Sequence, residues 1–476
     1  MEWTAELSKH CFARGRSFVK RMALAVVVLG VGILILHPGA GLARSQTGSA
    51  DPGRLSQTAA SQPANAPANG IAPATAPEKI TEYKLTPELH RKAHLFSRIR
   101  FGSRLFDLFY GVFLLWLILQ WRWSAKFRDW AEAASRRRIV QLVIYAPLLI
   151  LTLAILHLPL DIFDEATFKH YGISVQSWGS WMGDWGKLQG ISLFLGSLFI
   201  GILYWVIRRS PRRWWLIFWL VSLPILLFIF FLEPFIIDPM FFRFEPLSAK
   251  APQLVPELQR VVHRAGMEIP PDRMFWMEAS TKSVVPNAYV TGVGASKRIV
   301  VWDTTIAQET TDGILTVFGH ELGHYALGHV WKGLAFFAAM AFLVLYLGFR
   351  TIDWLLARRQ AAWGIRGLGD WASLPALLLL VSLFGFVANT SGNAFSRHIE
   401  HQADIYSMEV TRGIVPDPGQ AAAASFQRFG EKVFTDPDPN PVNVFLFFDH
   451  PTVSDRIHLF VTYDPWSHGK QPRFVK

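Results

Sequence analysis

An α-helical protein that crosses a membrane several times is the fold class this sequence predicts. Three observations carry that reading. Hydrophobic residues make up 51 % of the 476 and charged residues 17 %, whereas a soluble chain carries about 25 % charge. The apolar residues gather in runs close to the roughly 20 residues a helix needs to cross the hydrocarbon core. Lys and Arg, which give a formal net charge of +11, cluster between those runs, as they do in cytoplasmic loops. A nucleic-acid binder would instead interleave them with aromatics on a soluble domain, so that class is set aside. The 19 Trp and 37 Phe suit bilayer interfaces. Cys11 is the single cysteine, which excludes an intrachain disulfide and thiol chemistry built on paired cysteines.

Residues 1–43 read as a targeting element. Lys9, Arg14, Arg16, Lys20 and Arg21 precede an apolar run at 22–36, and Gly41, Leu42 and Ala43 offer a small-residue cleavage site. A cleaved signal is favoured over a retained anchor helix. Residues 44–82 are rich in Ala, Pro, Gly and Ser and read as a disordered linker. Thr86, Pro87 and Glu88 mark a helix start. Residues 83–232 form an N-terminal membrane unit with spans at 105–121, 139–158, 188–207 and 214–232. Residues 233–333 are less apolar. A helix is expected from Leu254 to Ala265, stopping at Gly266; short strands are expected at 274–277, 288–291 and 298–302, and a helix at 312–331. A membrane hairpin at 334–391, with spans at 334–349 and 372–388, precedes a mixed C-terminal unit at 392–476.

The chemistry sits in His320-Glu321-Leu322-Gly323-His324. On a helix, residues four apart share one face. Both imidazoles can therefore address one metal ion, with Glu321 beside it as general base. A catalytic zinc needs a third protein ligand and one open position. Val330 occupies the place where another zinc-protease pattern has histidine. His329 is nine residues from His320 and, at about 100° per residue, is expected on the opposite face as a hydrogen-bonding residue. Glu400 is the better ligand. Asp404, one turn further along, can accept the N–H of a ligating histidine and fix its tautomer.

These stretches resemble the type I CAAX prenyl endopeptidases and their bacterial relatives, which are integral-membrane zinc proteases. The resemblance covers 83–459. It rests on Asp238-Pro239-Met240 with Phe244-Glu245-Pro246-Leu247, on Pro286-Asn287-Ala288-Tyr289 with Lys297-Arg298-Ile299-Val300-Val301 and Asp303-Thr304, on Gly319 to His324 with Gly328-His329, on Ser396-Arg397 with Glu400 to Asp404, and on His450-Pro451 with Arg456. It implies a barrel of membrane helices around a chamber, with a mixed α+β, gluzincin-like zinc-protease domain built on it. It implies one Zn²⁺ per chain on His320, His324 and Glu400, and Glu321 as base. His450 would stabilise the oxyanion and Arg456 would support the site. Asn287, Ala288 and Tyr289 would lie on an edge strand that receives the substrate backbone.

The partners expected are a peptide or protein substrate, apolar or membrane-associated, and the lipid bilayer. CAAX-type processing follows from the resemblance alone. The rival class is a transporter or scaffold with a structural metal site; it would scatter ionisable residues through several spans. Alternating the spans puts the basic start and the Arg-rich loops at 122–138, 208–213 and 350–366 on one face, which the positive-inside rule makes cytoplasmic. The zinc site then opens to the periplasm of a bacterial inner membrane.

Overall fold

The computed structural model describes residues 79–292 and 296–475. The apolar run at 22–36 and the linker up to residue 78 lie outside the described residues. The linker was expected to reach residue 82, but the chain is already tied down at Ile80. Its N–H and C=O both pair with the side-chain amide of Gln420 at 2.9 Å, and the Tyr83 hydroxyl donates to the Thr435 carbonyl.

Helix α1 (Pro87–Gln120) starts where expected, with the Thr86 hydroxyl accepting from the Leu89 N–H. It is followed by α2 (Trp123–Ala134), α3 (Arg138–His170), α4 (Trp178–Arg209) and α5 (Trp214–Phe241). Next come β1 (Phe244–Pro246), α6 (Leu247–Lys250), α7 (Leu254–Arg264), β2 (Met274–Met277), β3 (Ala288–Thr291) and β4 (Arg298–Trp302). The remainder is helical: α8 (Asp303–Gln308), α9 (Thr311–Ala326), α10 (His329–Trp363), α11 (Leu374–Thr411), α12 (Pro418–Lys432), α13 (Pro441–Phe447) and α14 (Val453–Thr462).

Among the described residues, six helices are long and apolar enough to cross a membrane: α1, α3, α4, α5, α10 and α11. They hold every span the sequence predicts in this region, but they overrun it. Beyond the span expected at 139–158, the same helix carries an acidic stretch from residue 161 and continues to His170. Its acids stay on the helix because partners meet them there: Arg100 and Ser103 of α1 both bond Asp164, and His157 lies between Asp107 and Asp161. The boundaries expected at 232/233, 333/334 and 391/392 fall inside α5, α10 and α11. The expected helix at 312–331 is two helices. It stops at Ala326 because Gly328 takes φ +66°, a left-handed value that glycine adopts without cost.

The three strands foreseen are joined by β1 in a four-stranded sheet of order β1-β2-β4-β3. β2 and β4 run parallel and the outer pairs are antiparallel. β3 is therefore an edge. One apolar core packs this sheet against α7, α9, α12 and α14, and a second joins the membrane helices. The two halves are pinned by Lys282, a buried ammonium that reaches Asp184 of α4 at 3.2 Å and the Phe241 carbonyl at the end of α5. The basic loops meet at the other end of the bundle. There Arg122 donates to the Ala362 carbonyl, Arg128 to Gly364 and Asp370, and Arg208 to Gly369.

In the half that carries the sheet, α9 packs closely on α11. Gly319 and Gly323 share one face of α9. A Cβ at Gly323 would stand 3.0 Å from Tyr406, and one at Gly319 would stand 3.0 Å from Val410. Ser407 of α11 donates to the Thr316 carbonyl in the same seam. Gly323→Ala is therefore expected to lower stability by about 1–3 kcal/mol through overpacking. Gly333→Ala, where a Cβ meets nothing within 4 Å, should leave it unchanged or raise it. Thermal unfolding of the two variants in detergent checks the contrast.

Candidate metal centre

Helix α9 is buried without interruption from Gly313 to His324, so any polar group it carries must find a partner inside. His320 and His324, one turn apart, bring their rings to 4.8 Å between centroids. Helix α11, held close by the glycines, sets Glu400 against both. His320 Nε2 is 3.1 Å from His324 Nε2 and 3.1 Å from Glu400 Oε2, and His324 Nε2 is 3.8 Å from the same oxygen. A tetrahedral ion with bonds of about 2.0–2.1 Å separates its ligand atoms by roughly 3.3–3.4 Å. Two imidazoles and a carboxylate at these spacings, all buried, fit a metal ion.

The groups behind the triad are also in place. The His320 Nδ1–H donates to Asp404 Oδ1 at 2.8 Å. Arg456, from α14, donates its Nε to Asp404 Oδ2 at 2.9 Å and its Nη2 to Oδ1. Burial alone would lower the His320 pKa, but the Asp404 and Glu400 carboxylates outweigh it and hold it above the ordinary value. The same carboxylate contact makes the ring a stronger metal donor.

His450 is buried. Its Nε2 lies 3.2 Å from Glu400 Oε2, and its Nδ1–H donates to Asp449 at 2.7 Å. Burial pushes its pKa down, yet Glu400 and Asp449 together raise it above the ordinary value. Helix α11 also fixes the loop that carries it: Asn393 donates to the Leu446 carbonyl and Arg397 to those of Val444 and Phe448. Asp449 escaped the sequence reading, although its place beside His450 was a usable signal.

Two expectations need correction. His329 is not on the far side of the motif helix. Because the helix breaks at Gly328, His329 turns back, and its Nδ1 stands 3.1 Å from His324 Nδ1. Its Nε2 is 3.0 Å from Gln402 of α11. Asn287 is not in the edge strand but just before it. Its C=O accepts from the Trp302 N–H, and its N–H donates to Thr305. Its side-chain amide is buried, and neither the nitrogen nor the oxygen has a hydrogen-bond partner among the described residues. Ala288 and Tyr289 do lie on β3, beside α9, and the Tyr289 hydroxyl donates to Asp238. Glu321, next to His320, is buried.

The chain is similar to known proteins. The sequence pattern of peptidase family M48 matches residues 248–461. The pattern described as the CAAX prenyl protease N-terminal region, five membrane helices, matches residues 71–243; among the described residues that stretch contributes four of the six long apolar helices. A Bacillus subtilis protein named as the uncharacterized metalloprotease YhfN is 37 % identical over 361 residues, which is 74 % of this chain and 82 % of that one. The human CAAX prenyl protease 1 homolog is 23 % identical over 72 % of this chain and 78 % of its own. The crystal structure of S. mikatae Ste24p superposes with a TM-score of 0.68 at 20 % identity, covering 80 % of this chain and 90 % of that one. Two family patterns that meet end to end, and a relative alike over most of both lengths, establish that this chain belongs to peptidase family M48 as an integral-membrane metallopeptidase of the Ste24 kind.

Proposed function

We propose that the protein is a zinc-dependent endopeptidase that cuts membrane-associated or apolar peptides, in the manner of CAAX processing. The observation that carries this reading is the spacing of His320 Nε2, His324 Nε2 and Glu400 Oε2, a His₂Glu donor set of the kind zinc proteases use. These three residues would hold one ion per chain. Bound zinc supplies a water acidified to a pKa of about 7 and a Lewis acid for the scissile carbonyl.

The chain's own groups do the rest. Glu321 takes a proton from the attacking water and returns it to the leaving amine. His450, oriented by Asp449, donates from Nε2 to the carbonyl oxygen as it gains negative charge. Asp404 and Arg456 hold the His320 ring. A substrate strand adds to the outer edge of β3. Ala288 and Tyr289 lie along that strand, and Asn287, just before it, carries a buried side-chain amide with no hydrogen-bond partner among the described residues. Pairing that amide with substrate removes a desolvation cost of about 1–3 kcal/mol. The relatives named as CAAX prenyl proteases support the substrate class.

The site is proposed to open on the periplasmic side of a bacterial inner membrane. The basic loops at 122–138, 208–213 and 350–366, brought together by the bonds of Arg122, Arg128 and Arg208 to Ala362, Gly364 and Gly369, mark the cytoplasmic end, and the metal centre lies with the opposite loops.

Glu321→Gln is expected to keep the metal at full occupancy while peptide hydrolysis drops about 10²–10⁴-fold. Elemental analysis together with a fluorogenic peptide assay reads both, and substantial turnover would remove Glu321 from its role. Glu400→Ala should emerge from purification depleted of metal; full occupancy would mean a different third ligand. Orientation is read by cysteine labelling of intact cells with Cys11 replaced by Ser. A probe at Asp438, which is exposed, should react from outside, and one at exposed Ala133 should not. The reverse pattern would invert the topology and leave the chemistry untouched.

A further inference from the structure

The two imidazoles of the metal triad are backed differently. His320 donates its distal N–H to a carboxylate, Asp404, at 2.8 Å. His324 faces a second imidazole, with His324 Nδ1 and His329 Nδ1 3.1 Å apart. The rings meet edge to face at 74° and 4.9 Å between centroids, and His329 is buried. We propose that His329 is a positioning residue for the metal ligand His324. It accepts the Nδ1 proton of His324, and Gln402 and His398 fix its own tautomer. The proposal rests on the ligand set proposed above.

The assignment of protons follows from donor and acceptor bookkeeping. His324 Nε2 is the atom that meets His320 and Glu400, so a ligating His324 keeps its lone pair there and its proton on Nδ1. His329 Nδ1 must then be the acceptor, which puts the His329 proton on Nε2. That N–H points at Gln402 Oε1, 3.0 Å away. With its oxygen so placed, the Gln402 amide directs Nε2 at His398 Nε2, also 3.0 Å away. Each step has one donor and one acceptor, and the chain runs from the metal site to an exposed histidine. Helix α11 brings both parts: Gln402 follows the third ligand, Glu400, by two residues. A filler side chain at the start of α10 would need none of this alignment. An acceptor that fixes the tautomer of a ligating histidine typically matters by about 10–100-fold in metal affinity.

The test is zinc affinity of the full-length protein in detergent, measured by competition with a chromophoric chelator and accompanied by thermal unfolding of each variant. His329→Leu fills the space without an acceptor and should weaken zinc binding by about 10–100-fold. His329→Asn places an oxygen near the Nδ1 position and should stay within about threefold of wild type. Where His329→Leu does not fold, Gln402→Leu against Gln402→Glu decides. The first removes the acceptor that holds the His329 tautomer and should weaken binding; the second keeps an acceptor and should not. Affinity unchanged in His329→Leu, equal loss in His329→Leu and His329→Asn, or equal behaviour of the two Gln402 variants would each overturn the proposal. His324→Ala runs alongside. If it is metal-depleted while His329→Leu is unchanged, only the role of His329 falls. If His324→Ala keeps its metal, the ligand set itself falls, and this proposal with it.

Discussion

The distance between α9 and α11 is the quantity on which the rest of the site depends. His320 and His324 come from one helix and Glu400 from the other, and nothing in the sequence joins them over the intervening residues except packing. Gly319 and Gly323 remove the side chains that would keep the helices apart, and Tyr406, Ser407 and Val410 fill the space. The motif's variable positions are thus not free. Glycine at 323 is needed by the neighbouring helix, while the histidine beside it is one of the three side chains that could hold a metal. Interiors are packed as densely as organic crystals, so a seam this tight has little room to adjust.

Burial raises the stakes for every charge near that seam. His320, Glu400, Asp404, Asp449, His450 and Arg456 are all buried, and each isolated ion would carry a heavy desolvation cost. They persist because they are satisfied in series. Arg456 answers Asp404, which answers His320; Asp449 answers His450, which answers Glu400. The chain reaches these positions from three separate stretches, so forming the site and closing the catalytic half of the fold are one event. Lys282 does the corresponding work between halves, since its buried ammonium is met by Asp184 and the end of α5.

Much of this was legible in the sequence because its signals are local. Long apolar runs, a proline-led helix start at Thr86, the strands at 274–277, 288–291 and 298–302, and the two spaced motifs each declare themselves within a few residues. What could not be read were features set by partners distant in sequence. The acids from residue 161 lie beyond the expected span, yet Arg100 and Ser103 meet Asp164 on the helix. His329 was placed by helical phase, and a single left-handed glycine before it reversed its direction. β1, only three residues long, has no period to detect; it exists because β2 offers an edge.

Helix α11 runs unbroken for 38 residues, about 57 Å at the usual rise per residue. One end stands among the membrane spans and the other carries Glu400 and Asp404. It behaves as a rod with no joint between solvent regimes, so tilting one end displaces the other. Transmembrane helices tilt when the hydrocarbon layer thins or thickens around them. A change of tilt at the membrane end of α11 would therefore be carried to the end that bears Glu400 and Asp404.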